Sequence, residues 1–195
     1  MAEKAATEMG VARPSVGAAV PLAASGLLMM FYAAVVVVQG IHVIEHVIQL
    51  FQVYVFNVPE DDALGLLGYV YQFQGTEEWL HLGFNSVFLA SLVVIAIGLL
   101  WSPKARSSVP LWAMAGFLAL GVGLEAWHVV EHGVIISHVV AHNGCPCPGI
   151  LDSRLGVSDT VLHFGYNAIA YVATLLPFAY LRPFRAKRPE VSSAA

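Results

Sequence analysis

Histidine and glutamate recur in a doubled pattern along this chain. Gln39-Gly-Ile-His-Val-Ile-Glu-His46 aligns with Glu125-Ala-Trp-His-Val-Val-Glu-His132, and Leu80-His-Leu-Gly-Phe-Asn85 aligns with Leu162-His-Phe-Gly-Tyr-Asn167. The two matches occur in the same order and at near-equal separations, which points to a duplicated unit. Imidazole nitrogen and carboxylate oxygen are donors that transition-metal ions accept. On a helix, steps of three and four residues return to nearly the same direction. His42, Glu45 and His46 therefore share one face, as do His128, Glu131 and His132, while His81 stacks over Asn85 and His163 over Asn167.

These spacings make His42, Glu45, His46, His81, His128, Glu131, His132 and His163 candidate metal ligands. Glu45 and Glu131 are also candidates for catalytic proton transfer. Gln39, Asn85, Glu125 and Asn167 sit one turn away, where they can orient the ligand rings. Each half can provide its own His and Glu set, or the halves can share carboxylates across a dinuclear centre. Iron or zinc is the first expectation, with copper or manganese next. Haem ranks behind them, because a porphyrin needs axial histidines but no carboxylate beside each one. The alternative without a metal is a His/Glu hydrogen-bond network that ties helices together, or a proton relay.

A second cluster, His138, His142, Cys145 and Cys147, occurs only in the later half. It reads either as a soft-metal site or as a Pro-rich turn carrying a disulfide or two plain thiols. The His-x-x-Glu-His string resembles that of inverted zinc peptidases over five residues. A peptidase needs one copy with its Glu as base, whereas this chain has two copies. The several His-rich strings are also similar to those of histidine-box membrane hydroxylases and desaturases, whose boxes face the cytoplasm.

The elements that must position these residues can be read from composition. Of 195 residues, 58% are hydrophobic and only 11% charged, against about 25% charged in ordinary soluble domains. Mean hydropathy is +0.73. A net charge of -4 excludes a phosphate-tracking nucleic-acid binder, and two cysteines exclude a disulfide scaffold. Four apolar stretches, Leu22–Leu50, Trp79–Trp101, Leu111–Ile136 and Thr160–Leu181, each reach the ~20 residues that a spanning helix needs. The expected fold is an all-α integral membrane protein: a four-transmembrane-helix up-down bundle built from two parallel repeated helical hairpins.

Residues 1–21 are expected to be a disordered segment, 22–101 the first hairpin with a loop at 57–76, and 102–110 a connecting loop. The second hairpin is expected over 111–181, with a loop at 137–159, and a basic tail at 182–195. Leu64, Leu66, Leu67, Tyr69 and Tyr71 suit a short interfacial helix within the first loop. Lys4, Arg13, Lys104, Arg106 and the basic run after Leu181 place both termini in the cytoplasm of a plasma (inner) membrane. The histidine strings then lie toward the outward face.

The functional expectation is a membrane-embedded metalloprotein, a metal-dependent oxidoreductase or hydroxylase acting on a lipophilic or small substrate. The alternatives are metal-ion capture or transport, and an accessory subunit that stabilises a cofactor within a larger membrane complex. Expected partners are the bilayer and either complex subunits or further copies of the chain, with no nucleic acid.

Overall fold

Lipid offers no hydrogen bonds to a bare backbone, so long apolar stretches must satisfy their own N–H and C=O groups by forming helices. The computed structural model describes residues 22–71, 77–142 and 149–181, which are mostly helical with no strand among them. In chain order they form α1 (Leu22–Tyr54), a 3₁₀ turn (Glu60–Asp62), α2 (Gly65–Tyr71), α3 (Glu77–Trp101) and α4 (Pro103–Ser108). Then come α5 (Leu111–Gly116), a π-helical segment (Phe117–Gly123), α6 (Leu124–Ala141), α7 (Ile150–Leu155) and α8 (Asp159–Leu181). The segment α5–π–α6 is one continuous rod. Among the described residues, it and α1, α3 and α8 are the four helices long and apolar enough to cross a membrane.

The rods run slightly past the apolar stretches, and for one reason. α1 continues to Tyr54, α6 to Ala141, and α3 and α8 start at Glu77 and Asp159. Polar residues at these ends lower the hydropathy without weakening the helix. The short helix expected in the first loop is α2. The short helices α4 and α7 lie where the sequence pattern suggests only loop. α4 nevertheless has a readable local origin: the Ser102 Oγ accepts the Ala105 N–H at 3.2 Å, with Pro103 at the first helical position.

α1 packs most extensively along α8, and α3 along α6. The α1/α8 pair is antiparallel, because partners descend α8 as they ascend α1. Tyr32 Oη donates to the Thr174 carbonyl (2.5 Å), Gln39 Nε2 to Asn167 Oδ1 (2.8 Å), and Tyr54 Oη lies 2.9 Å from Ser158 Oγ. Gly40 permits this approach, since a Cβ there would lie 2.8 Å from Tyr171 Oη.

The distribution of polarity is inverted relative to a soluble bundle. Gln39, His46, Asn85, Glu125, His128, Glu131, His132, His163, Asn167 and Thr174 are buried, while Val37, Ile41, Val87, Val94, Val130 and Val172 are exposed. That is the arrangement expected when the surrounding solvent is hydrocarbon. Away from the histidines, Tyr32, Leu92, Ile95, Leu99 and Phe117 close the bundle with an apolar plug. The π-helical turns start at Phe117 within this plug and end immediately before Leu124, Glu125 and His128 of α6. Their wider winding rotates the faces of α6 relative to those of α5. Small residues bring this rod close to α8: a Cβ at Gly116 would lie 3.3 Å from Leu176 Cδ1, and one at Gly121 3.8 Å from Ala173 Cβ.

Candidate metal centre

His128 and His132 rise from α6 one turn apart, and His163 meets them from α8. One ring nitrogen from each lies within 4.8 Å of the others, and all three residues are buried, so together they could hold a metal ion. The orientation of the rings is fixed from behind. His163 Nδ1 lies 2.9 Å from the Asp159 carbonyl and 3.1 Å from its carboxylate, so Nδ1 carries the hydrogen. His132 Nδ1 faces Glu78 Oε2 at 3.1 Å, and His128 Nδ1 faces Glu125 Oε2 at 3.4 Å.

With Nδ1 donating to a carboxylate, each ring presents a bare Nε2 lone pair. Those of His132 and His163 lie 3.1 Å apart. His128 Nε2 is buried without a hydrogen-bond partner. Two facing lone pairs repel unless a cation lies between them. Nitrogens ~2.05 Å from a tetrahedral metal are about 3.3 Å apart, close to the separation here. A carboxylate behind each ligand histidine is the usual support of such sites.

The histidines of the first half adjoin this group but are held differently. His46 Nδ1 pairs with Gln49 Oε1 at 2.7 Å, while its Nε2 receives the Asn167 amide at 3.1 Å and lies 3.2 Å from His42 Nε2. The Asn167 amide also donates to the His163 carbonyl at 3.0 Å, which links the two sets. His81 lies between them, its ring centroid 5.9 Å from that of His46 and 5.5 Å from that of His132. The structure therefore gathers all the histidines expected as ligands from both halves into one group.

Glu45 and Glu131 are engaged elsewhere. One oxygen of Glu45 accepts the Leu67 N–H of α2, and one of Glu131 accepts the Leu151 N–H of α7, each at 2.5 Å. The first turn of a helix has unpaired N–H groups that attract a carboxylate. The second Glu131 oxygen is buried without a hydrogen-bond partner. Of the residues expected to orient ligands, Glu125 sits behind His128, while Gln39 and Asn167 bond one another. Both side-chain polar atoms of Asn85 are buried without such a partner.

Glu78, Asp159 and Gln49 are ring partners that the repeated strings do not reveal. A signal exists all the same: Glu78 and Asp159 precede His81 and His163 by three and four residues, the same-face spacing that groups the other ligands. In the second cluster, His138 and His142 sit at the end of α6, where His142 Nδ1 donates to the His138 carbonyl at 3.0 Å. Cys145 and Cys147 lie outside the described residues.

A cavity of about 580 Å³ opens onto His42, His46, His81 and His163. Val38, Ile41, Leu64, Leu80 and Phe84 form apolar walls, and Glu60, Asp61, Glu78 and Asp159 also line it. His128 and His132 are not in its lining. Comparison with known proteins adds no relative: no family model, curated protein or solved structure matches the chain.

Proposed function

We propose that the chain is a membrane-embedded metalloprotein whose centre is His128, His132 and His163, working as a metal-dependent oxidoreductase on a small or lipophilic substrate. The reading is carried by the facing Nε2 lone pairs of His132 and His163, 3.1 Å apart, with each ring anchored through Nδ1. Three protein ligands leave a coordination position open, the pattern of catalytic rather than structural sites. His163 lines both the centre and the cavity, and so connects the open position to the space where a substrate would sit. A transition ion held there supplies Lewis-acid or one-electron chemistry. Glu78, Asp159 and Glu125 keep the rings in the ligating tautomer, and the apolar walls receive the substrate. Imidazole donors suit iron, zinc and copper. Ring centroids only 4.6–5.2 Å apart leave no slot for a porphyrin between these histidines.

We also infer that the hairpins are a duplicated unit. Support comes from matched contacts. His42 stacks on Phe84 (4.1 Å, 28°) as His128 stacks on Tyr166 (4.7 Å, 29°), and Glu45 holds α2 as Glu131 holds α7. Transport across the membrane is the weaker reading, because the apolar plug around Leu92, Ile95 and Phe117 closes the other end of the bundle.

Elemental analysis and an optical spectrum of the purified protein test the proposal. One transition-metal ion per chain is expected at this centre, and its loss in His163→Ala. A wild-type protein purified from metal-replete cells with no bound metal would overturn the reading and leave a shared proton between the rings.

A further inference from the structure

The buried centre needs a route by which an ion reaches it. His128 and His132 have no exposed surface and His163 only 5%. The apolar plug around Leu92, Ile95 and Phe117 fills one end, and among the described residues the cavity adjoins the centre at His163 and at Glu78 behind His132. On the cavity wall stand the three histidines that the proposed centre does not use.

Resting on the reading of His128, His132 and His163 as a metal centre, we propose that His42, His46 and His81 form a second, exchangeable transition-metal site that loads the buried one. Two of the three are already at ligand spacing, and the His81 ring, with its centroid 6.3 Å from that of His42 and 5.9 Å from that of His46, must turn toward them to complete the set. His42 Nε2 and His46 Nε2 are 3.2 Å apart, again close to the ~3.3 Å edge of a tetrahedral metal. The rings form a sequence: His42 to His46 at 4.6 Å, His46 to His81 at 5.9 Å, and His81 to His132 at 5.5 Å or to His163 at 6.1 Å. Adjacent members are near enough for an ion to gain its next ligand before it releases the last.

The site differs from the buried centre in the direction that exchange requires. An amide oxygen, Gln49 Oε1, and not a carboxylate stands behind His46 Nδ1, and the Asn167 N–H that occupies the His46 Nε2 lone pair must give way to an ion and can reclaim the ring when the ion leaves. Imidazoles without carboxylate support are weaker donors and release the ion more readily. Glu60, Asp61, Glu78 and Asp159 line the same cavity, and a cleft lined by one sign of charge raises the local concentration of a counter-ion. The ligand is therefore a divalent transition-metal cation arriving from the aqueous side of the cavity. The transfer changes ligands only, with no change in oxidation state.

Cobalt(II), whose visible absorption reports its ligands, provides the test on full-length metal-stripped protein in detergent micelles. Wild type should bind two ions per chain: one rapidly and removable by mild chelator, the other slowly and retained. His163→Ala should keep the rapid ion and lose the retained one. His42→Phe, which preserves an aromatic ring against Phe84, should lose the rapid phase and still fill the buried centre at long times. The paired exposed change Glu60→Lys with Asp61→Lys should slow the rapid phase by about tenfold or more at low salt and leave the final stoichiometry unchanged. It serves as the independent check if His42→Phe fails to fold. Single-ion binding with one kinetic phase in wild type, or unaltered loading in both variants, overturns the loading site while the buried centre stands. No cobalt bound at all overturns both.

Discussion

Two groups of histidines, built from the same strings of residues, are given opposite surroundings by this fold. His128, His132 and His163 are buried and each backed by a carboxylate, from Glu125, Glu78 and Asp159 respectively. His42 and His81 are half-buried in a cavity wall, and His46 is held by the amides of Gln49 and Asn167. The aligned positions Gln39 and Glu125 show the difference most simply. Gln39 turns to Asn167, whereas Glu125 turns to the histidine one turn along its own helix. A carboxylate fixes the tautomer of the ring and raises its basicity as a ligand. The repeated string thus determines where imidazoles lie, and the partner on Nδ1 determines how basic a donor each ring offers.

Removing one imidazole from each group should have the largest and most unequal effect. His163→Ala should abolish the retained metal, because two ligands of three remain and the open wall admits water. His42→Ala should leave that metal in place at equilibrium. Metal content after chelator treatment distinguishes them, and equal losses would erase the asymmetry. Weakening the partners is the next step. Glu78→Gln should lower metal affinity by about 10–100-fold, the usual effect of losing a carboxylate behind a ligand histidine. Gln49→Leu, the corresponding removal behind His46, should change the affinity of the buried centre far less. Competition with a chromogenic chelator measures both.

Much of this is legible in the sequence because apolar runs of membrane-spanning length leave the backbone few alternatives to helix. The apolar runs mark four long helices, and the three- and four-residue spacings put the histidines on inward faces. The same logic passes over Glu78 and Asp159, although each shares a face with a histidine of its own helix, because acidic residues at span ends read first as solvated loop. Glu45 and Glu131 have a second engagement that spacing does not show. Their spacing matches that of ligands, but each long side chain finds the unpaired N–H groups of a short helix, α2 or α7, folded back over the bundle. The pairing of α1 with α8 and of α3 with α6 is also beyond reach, since periodicity shows which face is inward and not which neighbour it meets. The π-helical turns before Glu125 leave no sequence signal either.

The two latches offer a finer comparison. A methyl group at Gly65 or at Gly149 would press on the carboxylate that holds its loop helix. Only Gly65 also has a positive φ, +68°. An L side chain in that region adds roughly 1–2 kcal/mol of strain, whereas crowding alone costs about 1–3 kcal/mol. Gly149→Ala, with its Cβ 2.8 Å from Glu131 Oε1, should therefore destabilise less than Gly65→Ala. Thermal unfolding in detergent should rank them in that order. The reverse order would mean that the α7 latch bears more of the stability than the α2 latch.

The smallest effect concerns the aromatic rings behind His42 and His128. Phe84 and Tyr166 both stack on their histidine, but only Tyr166 has a hydroxyl, which accepts the Trp127 Nε1–H at 3.2 Å. Tyr166→Phe keeps the stacking surface and removes that acceptor, so stability should fall by about 0.5–1.5 kcal/mol. The partial exposure of Trp127, 37%, puts the expected value at the low end, because the freed indole N–H is not sealed in the core. Metal content should not change, since the hydroxyl touches neither ring nitrogen. A loss of metal in Tyr166→Phe would instead show that the Trp127–Tyr166 bond sets the tilt of His128, and that the buried group is held by more than its carboxylates.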